Sequence, residues 1–93
     1  MSVGVGILSG LKQSKRNHRE PIRLLARRHN YFPKRFMWRG EKYDIYAVER
    51  AWTESKRGGK VTRYFFRVRC AEGTFDLYQD LKLNAWYMAR RLN

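Results

Sequence analysis

An all-β fold is what the sequence predicts: a curled antiparallel meander or half-barrel of about five to six strands. Three observations predict it. Tyr, Phe, Trp, Val and Ile fill the stretches between turn signals, and those residues favour strands. Turn signals recur at short intervals, which suits hairpins. Apolar residues show only weak helical spacing throughout.

The strands follow from the turns. Strand one is expected over Ile22–Arg28 and strand two over Arg35–Trp38, with Arg39-Gly40-Glu41 as the turn after it. Strand three is expected over Lys42–Thr53. The Gly58-Gly59 pair then suits the positive φ values of a tight hairpin. Strand four is expected over Thr62–Cys70, and Ala71-Glu72-Gly73-Thr74 marks the next turn. Strand five is expected over Thr74–Tyr78. Strand six is expected over Ala85–Arg91. That last segment also fits a short C-terminal helix, because Leu81, Ala85, Met88 and Leu92 fall on one helical face. A strand is preferred because Ala85-Trp86-Tyr87-Met88 pairs naturally with the strand before it.

Two hairpins can be registered from their turns. A loop at Gly58-Gly59 sets Trp52 opposite Phe65 and Glu54 opposite Arg63. Continued, that register carries Glu49 onto the core face opposite Val68. An unpaired buried carboxylate is costly, so a bulge or bend is expected near Glu49-Arg50. A two-residue loop at Glu72-Gly73 would set Cys70 opposite Phe75, Val68 opposite Leu77, Arg69 opposite Asp76 and Arg67 opposite Tyr78. A sheet this small needs cover on its apolar face. Curling, with strand one closing the curl, is the simplest way to supply it.

The chain has 93 residues, with 21 Lys+Arg against 8 Asp+Glu and a formal net charge of +13. Two parts are expected. Residues 1–20 read as a flexible basic N-terminal arm and residues 21–93 as a single small β domain, since every aromatic lies at Tyr31 or beyond. No apolar run is long enough to span a membrane as a helix, and no positive region precedes the apolar start, as a signal peptide requires. The lone cysteine, Cys70, cannot form an internal disulfide and reads as a small core residue. A reducing compartment, the cytoplasm, is expected.

Charge combined with aromatic content is the strongest functional signal. Arginine outnumbers lysine two to one, and its planar fork suits phosphate. Residues 21–40 carry Arg23, Arg27, Arg28, Lys34, Arg35 and Arg39 with no acid. The hairpin tip adds Arg57 and Lys60. Arg63, Phe65, Arg67 and Arg69 alternate onto one face, which is either a stacking platform for bases or an outer face whose arginines pair with Glu54, Asp76 and Asp80. Trp38 and Trp86 read as core anchors, while Trp52 fits core and surface equally. No catalytic residue stands out. His29 with Glu41 or Asp44 is the sole pairing worth testing for hydrolysis. No spacing suits a metal site, and no cofactor is expected.

The run Phe36-Met37-Trp38-Arg39-Gly40-Glu41-Lys42-Tyr43, then Val48 and Trp52, then Tyr64-Phe65-Phe66-Arg67-Val68 and Phe75-Asp76-Leu77-Tyr78, resembles a small bacterial family of unknown function. Its members share a Phe-x-Trp-Arg-Gly-x-x-Tyr core, and the resemblance covers Pro21 to about Leu92. Such domains resemble neighbours or tail segments of Y-family DNA polymerase-like proteins of the damage-induced mutagenesis type. The resemblance implies an accessory role in DNA transactions. The family has no assigned catalytic residues, so none carries over. The long N-terminal arm and the added charge depart from the family pattern.

The expectation is therefore a non-enzymatic nucleic-acid-binding accessory module, in DNA repair or translesion synthesis. The alternative is a protein-interaction module that docks an acidic partner or a polymerase subunit, or pairs through an edge strand. Nucleic acid, either DNA or RNA, is the expected partner, with no membrane. The sequence leaves monomer and homodimer open.

Overall fold

The computed structural model describes residues 20–92. Between its turns the chain runs as six strands: β1 (Glu20–Arg28), β2 (Phe32–Trp38), β3 (Glu41–Ser55), β4 (Val61–Cys70), β5 (Gly73–Asp80) and β6 (Ala85–Arg91). Each strand pairs antiparallel with its neighbour, and β1 returns to pair with β6, closing a barrel. The C-terminal segment is a strand, as preferred, and no helix occurs among the described residues. Strands two and three are longer than expected. β1 begins at Glu20, one residue inside the expected arm, and the rest of that arm lies outside the described residues.

Local chemistry sets the turns. His29 and Asn30 both take positive φ, 55° and 59°, and the Tyr31 N–H donates to the Arg28 carbonyl at 3.1 Å. That is the arrangement of a type I′ turn, whose twist matches the strands it joins. Arg39 (53°) and Gly40 (79°) repeat the pattern between β2 and β3. Gly73 opens β5 at φ 145°, a conformation open to glycine and strained for other residues.

Registers follow from those turns. Trp52 faces Phe65 and Glu54 faces Arg63, as expected. The expected bulge is present: Val48 pairs with Val68 and Arg50 with Arg67, so Glu49 is the extra residue. Its carboxylate turns outward and meets Arg69 at 3.4 Å. The β4–β5 register differs from expectation by two residues. The loop is Ala71-Glu72, with Cys70 opposite Gly73, Val68 opposite Phe75 and Arg67 opposite Asp76. A shift of two keeps every side chain on its face. The interior set therefore survives, but Asp76 meets Arg67 where Arg69 was expected.

The core holds Phe36, Trp38, Phe66, Val68, Phe75, Leu77, Trp86 and Met88, all buried. Trp38 and Trp86 are the anchors expected of them. Trp52 lies half-buried on the outer face, stacked on Phe65 at 5.3 Å between ring centres.

The closure is uneven, and this positions the site. β2 pairs with β3 only from Arg35–Asp44 to Trp38–Glu41, and β1 pairs with β6 only over Glu20–Ile22. Beyond those short seams the β1–β2 hairpin leaves the wall of the barrel on both sides. Its tip is held down by aromatic contacts: Tyr31 packs edge-on against Tyr64 and Phe66 at 5.5 and 5.3 Å, and Phe32 against Phe66 at 6.0 Å. A cleft opens on each flank.

Candidate nucleic-acid interface

Most of the acids are taken up by arginines, many of them on the outer face of β3–β6. Six of the eight acids are ion-paired: Glu20, Asp44, Glu49, Glu54, Asp76 and Asp80. Asp76 is buried, and Arg67 donates to both its oxygens at 2.8 and 3.1 Å. Arg90 donates to it as well, at 3.2 Å. Arg63 lies between Glu54 (3.0 Å) and Asp80 (3.9 Å). The hydrogen bonds to Asp76 hold the Arg67 guanidinium above its ordinary pKa.

The same face carries an aromatic row across four strands. Trp52, Phe65, Tyr78 and Tyr87 are direct cross-strand neighbours, with ring centres 5.3, 5.1 and 5.2 Å apart in turn. Arg50 and Arg67 lie against the Trp52 ring at 4.8 and 5.8 Å, and Arg63 against Tyr78 at 5.0 Å. Cation–π contacts and ring stacking thus cover the faces a base would need. The row is a structural seam. Arg63 and Arg67, expected as contact residues, are spent inside it.

Arg39 and Arg35 are also committed. Arg39 makes a two-pronged ion pair with Glu20 at 2.7 and 2.9 Å, and lies 4.6 Å from the centre of the Trp38 ring. The Glu20 hydrogen bonds raise its pKa. This contact links the β2–β3 turn to the start of β1 and helps to close the barrel. Arg35 donates to Asp44 on the facing strand.

The remaining expected residues are different. Arg23, Arg28, Lys34, Arg57 and Lys60 are exposed and have no acid partner among the described residues. Arg27 lies 5.6 Å from the centre of the Trp86 ring, with no acid partner. These cations lie on two hairpins. Arg57 and Lys60 are at the β3–β4 tip, while the others flank the two clefts beside the β1–β2 hairpin.

The first cleft, about 450 Å³, lies between β2 and β3, with Phe32, Pro33, Ile45, Val48 and Ala51 among its apolar lining. Arg28, His29 and Lys34 line it from one side, and Arg50 from the other. The second, about 640 Å³, lies between β1 and β6 and carries Arg23 and Arg27 beside Asn84, Trp86 and Tyr87. Arg50 and Tyr46 are cleft residues that the sequence did not single out, and His29 was singled out only for hydrolysis. The expected bulge was the available signal, because a bulge re-aims the side chains beside it.

His29 stands at one end of β2 and Glu41 at the other, and Asp44 is paired with Arg35. No group of three or more His, Cys, Asp or Glu that could hold a metal ion occurs among the described residues. Burial, with Glu72 and Asp44 adding to it, pushes the Cys70 thiol up to about 12. It therefore stays protonated at neutral pH and is inert as a nucleophile. No helix among the described residues is long and apolar enough to cross a membrane.

A family model described as a domain of unknown function, DUF6504, matches residues 13–91. The chain belongs to that family. No curated protein and no solved structure matches it.

Proposed function

We propose that this member of the DUF6504 family is a non-enzymatic nucleic-acid-binding module, acting as an accessory in DNA transactions. One observation carries the reading: the segregation of charge. The acids of the outer face of β3–β6 are taken up by Arg63, Arg67, Arg69 and Arg90, while Arg23, Arg27, Arg28, Lys34, Arg57 and Lys60 on the two hairpins have no acid partner among the described residues. Unanswered guanidinium and ammonium groups around a cleft attract phosphate, and the counterions they release make that attraction depend on salt. The resemblance to domains beside Y-family polymerases supports DNA repair or translesion synthesis as the setting.

The test is a titration of the full chain into labelled single-stranded DNA, duplex DNA and RNA at several salt concentrations. Micromolar or tighter binding near physiological salt, with a steep log–log slope, is the expected result. Binding that vanishes at physiological salt for all three would reject the reading. An acidic protein partner would then account for the charge.

A further inference from the structure

The β2–β3 cleft has a more specific chemistry than a basic patch. Its flanks are strand edges, and such edges ordinarily recruit another strand. Both edges here are blunted against that use. On β2, Pro33 lies in the stretch beyond the pairing with β3 and has no N–H to offer a ladder. On β3 the ladder to β4 slips twice within the cleft lining, between Ile45 and Ala47 and between Val48 and Arg50. Bulges of this kind twist an edge away from regular pairing.

Side chains are what the cleft does offer. Arg28 and Lys34 on one side and Arg50 on the other, Arg50 resting on the Trp52 ring at 4.8 Å, carry charge with no acid partner among the described residues, while Glu49, the acid in the lining, is paired with Arg69. Tyr46 also lines the cleft and is 62 % exposed, the most exposed large hydrophobic residue among those described. Arg69 lies 5.5 Å from the centre of its ring, and the exposure leaves much of that ring open. The core does not use this ring. Cations on two sides, an apolar lining and an open aromatic ring match the needs of an unpaired strand: phosphates to the cations, a base to the ring. A volume of about 450 Å³ is that of a cleft for a ligand-sized group, room for a base with its sugar and phosphate.

We infer that the cleft between β2 and β3 seats a short single-stranded segment of nucleic acid, with one base stacked on Tyr46 and its flanking phosphates held by Arg28, Lys34 and Arg50. The inference rests on the nucleic-acid reading above and specifies which form is bound and where.

The full chain, its Tyr46→Ala variant and its Tyr46→Phe variant test it against a single strand and a duplex of equal length at one salt concentration. Tyr46 is exposed, so neither substitution should unfold the barrel, and thermal melting checks this. The wild type should prefer the single strand. Tyr46→Ala should weaken single-strand binding about 5- to 100-fold, the range seen when a stacking aromatic is removed, and leave duplex binding unchanged. Tyr46→Phe should restore it. A photoreactive thymidine in the single strand should cross-link to Tyr46 or a neighbouring cleft residue. Equal affinity for both forms, with Tyr46→Ala without effect, would overturn the cleft assignment and leave the broader reading standing. Binding to neither form would remove both. A poly-glutamate peptide that binds instead, and loses affinity in Tyr46→Ala, would reassign the cleft to an acidic protein.

Discussion

Asp76 shows how one side chain organises the surface around it. It is a buried carboxylate facing outward on β5, and two arginines supply its hydrogen bonds. Removing one partner of such a group leaves uncompensated charge, which costs about 3–5 kcal/mol. Asp76→Asn keeps the shape and removes the charge, so it should destabilise the domain by about 3 kcal/mol. In a domain of this size that lowers the melting temperature by more than about 10 °C. Calorimetry checks this. A loss below about 1 kcal/mol would mean that Arg67 holds its place by its contact with the Trp52 ring and not by Asp76. The sequence carried most of this arrangement. The expectation that the outer arginines pair with Glu54, Asp76 and Asp80 holds for Arg63 and Arg67. Arg69 pairs with Glu49 instead, because the β4–β5 turn lies one residue earlier than the glycine suggested.

At the scale of elements, the β1–β2 hairpin matters most, because it divides the open side of the barrel into two clefts. Its turn places Asn30 at φ 59°. Asparagine tolerates that region and most other L residues do not. Asn30→Ala should therefore cost about 1 kcal/mol and Asn30→Gly should cost nothing measurable, as read by denaturant midpoints. Equal losses for both would show that the asparagine side chain, not its backbone conformation, holds the turn. The sequence did not reveal this hairpin's length. His29-Asn30 lacks a glycine, and β2 begins three residues before the expected strand, with Pro33 at its second position. Pro33 is tolerated because β2 has no β3 partner at that point. The bulge at Glu49, by contrast, was legible, since alternation alone would have driven a carboxylate into the core. What alternation could not convey is that the bulge lies in the wall of a cleft, since that depends on β2 diverging from β3.

At the scale of the whole molecule, net charge alone does not locate a binding surface. The sequence showed an excess of +13 and a basic pole over residues 21–40. It offered pairing of the outer arginines as one of two readings and did not show the pairs of Arg35 with Asp44 and Arg39 with Glu20, which depend on the β2–β3 register and on the closure of the barrel. Arg35, Arg39, Arg63 and Arg67 leave the candidate set once those registers are known, and Arg50 enters it. On the proposed reading, phosphate is held by the cations around the β1–β2 hairpin and not by the average charge of the barrel. The most direct measurement compares two triple variants with equal loss of charge, each titrated with single-stranded DNA over a range of salt. Arg28, Lys34 and Arg50 are replaced by Ala in one, and Arg35, Arg63 and Arg90 in the other. The first should flatten the log–log salt slope by about 2, each lost phosphate contact being worth about 0.7 for a single strand. The second should leave the slope near that of the wild type. Equal flattening in both variants would contradict the account, because the barrel would then bind through its net charge alone.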